Sequence, residues 1–271
     1  MSPAVSVIIV NWNGKYLLLD CLDSLFNQTF RDFEVILVDN GSTDGSIRYV
    51  EEEFPMIKII HNEKNLGFAE ANNQGIMVSR GEYIALLNND TRPKRNWLAE
   101  LVRVADENPR FGMFASKILL PSGKIDSAGC LLYPDGIGIC RGRWQENRGQ
   151  YDQIETVVFP SGCAAFYRRQ MLDQIGPFDE RFFMYCEDTD LGLRARAAGW
   201  GCLYIPTAVV THLYSQSSSA YSLKKAFYVE RNRIWVMMKN FSFAQIVSSV
   251  PYTLIRYFRI ARRGMAWSSG Y

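Results

Sequence analysis

The chain has 271 residues, 48% of them hydrophobic, and a formal net charge of +2. That composition supports a sizeable buried core and excludes a disordered chain, while the near-neutral charge gives no reason to expect nucleic acid, whose binders carry a basic field. The cysteines include no CxxC pair, so the expectation is buried free thiols in a reducing cytoplasm, not disulfides or a zinc site. Residues 1–4 lack the charged segment of an export signal and run straight into a strand pattern.

Residues 5–10 are a β-branched apolar run, predicted as a buried strand. Residues 15–27 follow with Leu18, Cys21, Leu22, Leu25 and Phe26 at helical spacing. Residues 33–38 form a second strand, and Ser42, Thr43 and Asp44 offer capping side chains for a helix running toward Phe54. A short third strand spans 57–60, and a helix spans 69–80 with Gly81 as its left-handed cap. A fourth strand over 83–87 and a helix over 96–107 complete the alternation. Strands separated by helices imply βαβ units, an α/β class and a mainly parallel sheet. From 121 to 153 the chain is rich in glycine, contains Pro121, Pro134 and Trp144, and shows no helical period. It is predicted as an irregular or hairpin-containing segment over the sheet. Strand character resumes over 157–167, then a helix over 188–198 ends at Gly199, a strand follows over 202–205, and a long helix covers 222–239.

Ligands of an open parallel sheet bind beyond the carboxyl ends of its strands. The four predicted strand ends carry Asn11-Trp12-Asn13-Gly14, Asp39-Asn40-Gly41-Ser42, Asn65-Leu66-Gly67-Phe68 and Asn88-Asn89-Asp90. Any one alone is ordinary turn chemistry; four in succession point to one ligand crevice. No GxGxxG follows the first strand and no GxxxxGK[ST] occurs, so dinucleotide and P-loop readings lose their main support. A nucleotide can instead be held by side chains, its base on an Asp and its diphosphate on Mg²⁺ or Mn²⁺. Asp90 is placed for that metal, since a hard cation needs few protein oxygens when phosphate and water fill the rest.

A second cluster is Glu187-Asp188-Thr189-Asp190, preceded by the apolar run Phe182-Phe183-Met184-Tyr185-Cys186. Acids at a helix start can serve as caps alone. Their apolar flank also fits a carboxylate in a partly dry pocket, where burial tunes it for proton abstraction. Of the histidines, His61 reads as a surface residue. His212 follows Ala208-Val209-Val210 and is either a structural hydrogen-bonded histidine or a metal ligand.

Together these motifs resemble family 2 glycosyltransferases of the GT-A fold, in their bacterial rhamnosyltransferase-like branch. The resemblance runs through the strand-end motifs, Asn72-Asn73, Gly176-Pro177-Phe178-Asp179-Glu180, the Glu187-Asp188 pair and Glu230-Arg231-Asn232-Arg233, over about residues 4 to 240. It implies an inverting, metal-dependent transfer of a sugar from a UDP- or dTDP-sugar, dTDP-rhamnose among them, to a hydroxyl of a glycan or lipid-linked acceptor in cell-surface polysaccharide synthesis. Asp39 would contact the base, and Asn11, Asn13, Asn40, Gly67 and Asn72 would belong to the nucleotide-sugar site. Asn88-Asn89-Asp90 takes the place of the family's Asp-x-Asp motif, with Asn88 departing from its first acid. Asp90 and His212 would be the metal ligands, Asp188 the general base, and Glu187 a group that positions the acceptor.

The resemblance also implies a GT-A domain over 1–240, divided into a nucleotide-binding half (1–120) and an acceptor half (121–240); beyond it, the residues themselves read as a C-terminal basic helical extension over 241–271. In the extension, Arg256, Arg259 and Arg263 share one helical face, with Leu254, Tyr257, Phe258 and Ala261 opposite. This fits a helix on the inner face of a membrane, the protein otherwise being cytoplasmic, or a helix packed on the domain. Two other classes share the nucleotide site. A sugar nucleotidyltransferase would release pyrophosphate, and a non-catalytic nucleotide-sugar binder would bind donor without transfer.

Overall fold

The computed structural model describes residues 2–213 and 223–262. Strands β1 (Val5–Asn11), β2 (Phe33–Asp39), β3 (Lys58–His61) and β4 (Tyr83–Leu86) alternate with helices α1 (Lys15–Phe26), α2 (Ser46–Glu53) and α3 (Gly67–Val78). Then come β5 (Thr91–Pro93), α4 (Trp97–Glu107), β6 (Phe111–Leu119), β7 (Ile125–Ala128), β8 (Cys130–Leu132), β9 (Gly138–Cys140), β10 (Glu155–Val157), β11 (Ala165–Arg168) and α5 (Arg169–Ile175). The chain continues through α6 (Glu187–Ala197), β12 (Gly201–His212), α7 (Leu223–Asn240) and α8 (Phe243–Arg262).

The main sheet runs β10-β12-β6-β11-β4-β1-β2-β3, with β5 added on β12 and β7 on β6. The β4-β1-β2-β3 half is parallel, as is the β6–β12 pair; β11 joins these two blocks antiparallel to each. Strand alternation sends Val5, Val7 and Ile9 to one face, against Leu18, Leu22, Trp97 and Leu101. Ile8, Ile36 and Ile84 face the other, against Ala69, Ala71, Met171 and Leu191. Both faces are therefore covered by helices, which is why the central strands read as continuous apolar runs. All the cysteines are free.

Several expectations need correction. Gly81 is no left-handed cap: α3 ends at the extended Ser79, and a Cβ at Gly81 would come within 2.5 Å of the Ser6 amide nitrogen. Glycine is required there by the close approach of β1. The apolar run over 157–167 is two strands, parted by a turn at Ser161-Gly162-Cys163 that opens toward the cavity. The buried strand β6 lay outside the sequence reading, because Gly112, Ser116 and Lys117 break its apolar run. Lys117 is tolerated inside by an ion pair to Asp152 at 2.5 Å. The strand expected to end at Ile205 continues past Pro206 to His212, with a register shift between Ile205 and Val209. Such an irregularity re-aims the strand that follows it.

In α8, Arg256 does not lie on a free basic face. It donates from Nε to Asp135 Oδ2 at 2.6 Å and also pairs with Glu230, which accepts from the Tyr257 hydroxyl at 2.7 Å. This face of α8 is packed against α7 and the β8–β9 turn, while Leu254 and Phe258 stay exposed. Arg263 lies outside the described residues.

Candidate active site

The ends of β1, β2 and β4 meet in a small network of amides and hydroxyls. Asn11 is fully buried. Its Nδ2 donates to the hydroxyls of Ser42 (3.2 Å) and Ser46 (3.0 Å), and its Oδ1 accepts from Asn89 Nδ2 at 2.8 Å. These bonds tie the loops together, and Asn11 is not among the residues that line the cavity. Asn72 is likewise buried, donates back to the Phe68 carbonyl at 2.8 Å and does not line the cavity. Asn13, at φ 51°, accepts from the Thr43 amide at 2.7 Å and joins the first two loops. Asp44 caps α2 through the Ser46 amide (3.1 Å) and hydroxyl (2.6 Å).

Asn40 lines the cavity, held by the Asn62 amide donating to its Oδ1 (3.0 Å) and by its own donation to the Gly67 carbonyl (3.0 Å). Asp39 sits just beneath, both its carboxylate oxygens accepting from the Ser42 amide at 3.3 and 3.2 Å. If Asp39 holds the nucleotide base, as the resemblance implies, Asp39→Ala raises the donor KM more than it lowers kcat, because such a contact acts equally in ground and transition states. Steady-state kinetics over donor concentration check this; an unchanged KM removes Asp39 from the site.

Gly67 begins α3 at φ 90°, and a Cβ there would approach the Phe183 carbonyl oxygen to 2.4 Å. Only glycine lets α3 sit against the loop that carries the second acidic cluster.

One cavity of about 1570 Å³ joins the two clusters. Its walls include Trp12, Asn88, Asn89, Asp90 and His212 from strand ends, and Gly162, Glu187 and Asp188 beside α6. That volume exceeds the roughly 300–1,000 Å³ of an ordinary small-molecule pocket, leaving room for two substrates. Asp90 and His212, 122 positions apart in sequence, are brought together by the antiparallel β5–β12 pair. The His212 Nε2 lies 3.4 Å from Asp90 Oδ1, and this buried oxygen has no hydrogen-bond partner among the described residues. Asn88 stands beside them, its backbone fixed by donation to the Cys163 carbonyl at 2.9 Å.

The residue missed by sequence reasoning is Asp126, on β7. Its Oδ2 lies 2.7 Å from His212 Nδ1, and Arg143 approaches its Oδ1 at 3.3 Å. Burial opposes its ionisation, but His212 and Arg143 hold it below the usual carboxylate range. Burial also opposes the imidazolium of His212, yet the neighbouring Cys163, Asp126 and Asp90 raise its pKa above the ordinary value. A carboxylate on one ring nitrogen and a second buried carboxylate oxygen 3.4 Å from the other are chemically suited to a divalent cation at Asp90 and Nε2. No cluster of three or more His, Cys, Asp or Glu side chains suited to a metal occurs among the described residues. Asp90 and His212 would offer a cation two protein donors and leave its remaining positions to phosphate and water.

Glu187 and Asp188 open α6. Asp188 is half-buried and accepts from the amides of Gly162 (3.1 Å) and Thr189 (2.7 Å). Glu187 is buried, and its Oε2 has no hydrogen-bond partner among the described residues. Burial and the adjacent Asp188 charge push Glu187 up to about 8. Burial raises Asp188 too, but the donated hydrogen bonds work against it. Burial thus disfavours the charge on both carboxyls, and only Asp188 has amide donors that work against it.

A stability test follows. The folded pKa of Glu187 lies above its ordinary 4.5, so its contribution is intact below pH 4.5 and is lost as pH rises toward 8. Glu187→Gln removes that loss. Its stability relative to the parent should therefore grow across this window, by at most about 3 kcal/mol at pH 7. Thermal melts from pH 4.5 to 8.5 read the effect, and a pH-independent difference would contradict the burial of a neutral Glu187.

With this geometry in place, comparisons with known proteins are informative. The profile of glycosyl transferase family 2 matches residues 6–176. An N-acetylglucosaminyl-diphospho-decaprenol L-rhamnosyltransferase of Mycobacterium tuberculosis is 31% identical over 80% of this chain and 78% of its own length. Among solved structures, GalNAc-T7 with UDP, GalNAc and Mn²⁺ superposes with a TM-score of 0.71 at 18% identity, over 88% of this chain and 48% of that one. The mannosyltransferase PcManGT from Pyrobaculum calidifontis, in complex with GDP-Man and Mn²⁺, gives 0.66 at 19% identity, over 93% and 70%. These two establish the GT-A fold. By the profile match and the mycobacterial relative, the chain belongs to glycosyl transferase family 2, as an enzyme of its rhamnosyltransferase-like branch.

Proposed function

We propose that the enzyme performs an inverting, divalent-metal-dependent transfer of a sugar from a UDP- or dTDP-sugar, dTDP-rhamnose foremost, to a hydroxyl of a lipid-linked glycan acceptor in cell-surface polysaccharide synthesis. One observation carries the reading: a single cavity is walled by Asp90 and His212 and, elsewhere on its surface, by Glu187 and Asp188. The rhamnosyl donor and lipid-linked acceptor are taken from the name of the mycobacterial relative.

A sugar hydroxyl is a poor nucleophile at neutral pH and must lose its proton as the new bond forms. Asp188, held by the Gly162 and Thr189 amides, takes that proton, and Glu187 orients the acceptor. Asp90 and His212 would hold Mg²⁺ or Mn²⁺, which when bound stabilises the charge developing on the departing diphosphate. Arg143 and Lys225 line the same cavity and add positive charge. A single displacement inverts the anomeric centre without a protein nucleophile. Residues 1–120 supply the nucleotide half of this site, and residues 121–240 the acceptor half together with the metal ligand His212.

The C-terminal extension, 241–271, is assigned to the surface of an anionic membrane. Phe243, Val247, Leu254 and Phe258 are exposed on α8, with Arg259 and Arg262 in its last turn, an arrangement suited to interfacial binding. No helix among the described residues is long and apolar enough to cross a membrane. The proposed location is cytoplasmic, at the inner face of the cell membrane.

The deciding experiment is a screen of UDP-, dTDP- and GDP-sugars by thermal shift with Mg²⁺ or Mn²⁺. Donors that bind are then tested for transfer to a polyprenyl-diphosphate-linked N-acetylglucosamine, with product anomericity read by NMR. A retained anomeric configuration, or no transfer with any donor that binds, refutes the reading.

A further inference from the structure

The loop delivering Glu187 and Asp188 is strained. Phe183, Tyr185 and Cys186 all adopt positive φ, at 64°, 70° and 66°. Each is a non-glycine residue in a region that is unfavourable for L-residues and is kept only where the surroundings over-determine it. On one side, the Phe183 carbonyl accepts from the amides of Phe68 (2.6 Å) and Ala69 (3.2 Å) at the start of α3. On the other side stands Asn232 of α7, fully buried. Its Nδ2 lies 2.9 Å from the Phe182 carbonyl, 2.9 Å from that of Met184 and 2.7 Å from that of Tyr185.

The amide orientation is dictated by its neighbour. Arg231 Nε donates to Asn232 Oδ1 at 2.9 Å, and a guanidinium can only donate, so the NH₂ group must face the loop. Arg231 also donates to the Phe182 carbonyl at 3.0 Å and sits over the Trp235 ring at 4.3 Å. The same NH₂ thus holds carbonyls on both sides of Phe183, immediately before the first residue of α6.

We propose that Asn232 is a positioning residue for the transfer: it clamps the 182–186 turn in its strained conformation and thereby aims the Asp188 carboxylate at the acceptor hydroxyl. The inference rests on the reading of Asp188 as general base. It gives a role to Asn232, which stands far from the strand ends in the Glu230-Arg231-Asn232-Arg233 stretch. Asn232 itself does not line the cavity, so its effect has to pass through the loop.

The test compares Asn232→Asp, which keeps the shape but presents oxygen to three carbonyls, with the milder Asn232→Ser. Transfer kinetics, donor binding by calorimetry with Mn²⁺, and melting temperature are measured for each. A misplacement of about 1 Å costs on the order of 10²-fold in rate. The expected result for Asn232→Asp is therefore a kcat loss of about that size with donor Kd unchanged within about threefold, and a smaller kcat loss for Asn232→Ser. If Asn232→Asp does not fold, Asn232→Ser carries the test alone. The same substitution made in Asp188→Asn should cost little further kcat, because a base that is absent cannot be misaligned. Undiminished kcat in the single variants, donor affinity falling in step with kcat, or a full additional loss in the Asp188→Asn background overturns the clamp. Undiminished kcat in Asp188→Asn alone would instead refute the base assignment.

Discussion

Asp188→Asn is expected to lower kcat by roughly 10²–10⁴-fold, the usual worth of a positioned proton transfer, with donor affinity nearly unchanged. The reason is spatial. Asp188 is held at the start of α6 by the Gly162 and Thr189 amides, whereas the residues assigned to the donor lie at the ends of β1, β2, β4 and β12. An Asn side chain keeps the volume but replaces one acceptor oxygen with a donor, so it cannot take the hydroxyl proton. Glu187→Gln should cost less, because burial and the adjacent Asp188 favour the neutral form of Glu187, which Gln mimics. Single-turnover transfer beside donor titration separates the two. A larger kcat loss in Glu187→Gln than in Asp188→Asn would show that the neighbouring acid is the base. Failure of Asp188→Asn to fold would show that its bonds to Gly162 and Thr189 serve chiefly as structure.

Much of the parallel half was legible because its signals are local. β-branched runs ended by Asn, Asp and Gly mark both a strand and the crevice beyond it, and β1, β2, β3 and β4 fall within a residue or two of their expected bounds. The juxtaposition of Asp90 and His212 was implied by the family resemblance, and the β5–β12 pair brings it about. What sequence could not reveal was direction. Asn11 and Asn72 have the same side chain as Asn40 and Asn88, yet the first pair is turned inward to satisfy neighbouring groups. Asp126 escaped notice because its meeting with His212 depends on β7 and β12 packing on opposite edges of β6, a pairing with no local signature. The positive φ of Phe183, Tyr185 and Cys186 was equally hidden. A glycine would have announced the turn; aromatic and thiol side chains disguise it as an apolar run.

The other large effect expected is at the cation. Chelation should abolish transfer, and Asp90→Ala should remove the metal-dependent part of donor binding, since it deletes the buried oxygen that faces His212 Nε2. Asp126→Asn offers a finer probe. The Asp126 carboxylate lies 2.7 Å from Nδ1 of His212, and in that role it keeps the proton on Nδ1 and leaves the Nε2 lone pair for a metal. Groups in this supporting position typically change metal affinity by roughly 10–100-fold. Mn²⁺ titration in the presence of nucleoside diphosphate, read by the paramagnetic relaxation of water, should show that weakening in Asp126→Asn and a greater one in Asp90→Ala. Because this readout does not depend on turnover, it separates loss of metal from loss of the base at Asp188. Full transfer in excess chelator, or Mn²⁺ affinity unchanged in both variants, would mean that Asp90, His212 and Asp126 form a structural charge network, and the leaving diphosphate would then have to be stabilised by Arg143 and Lys225.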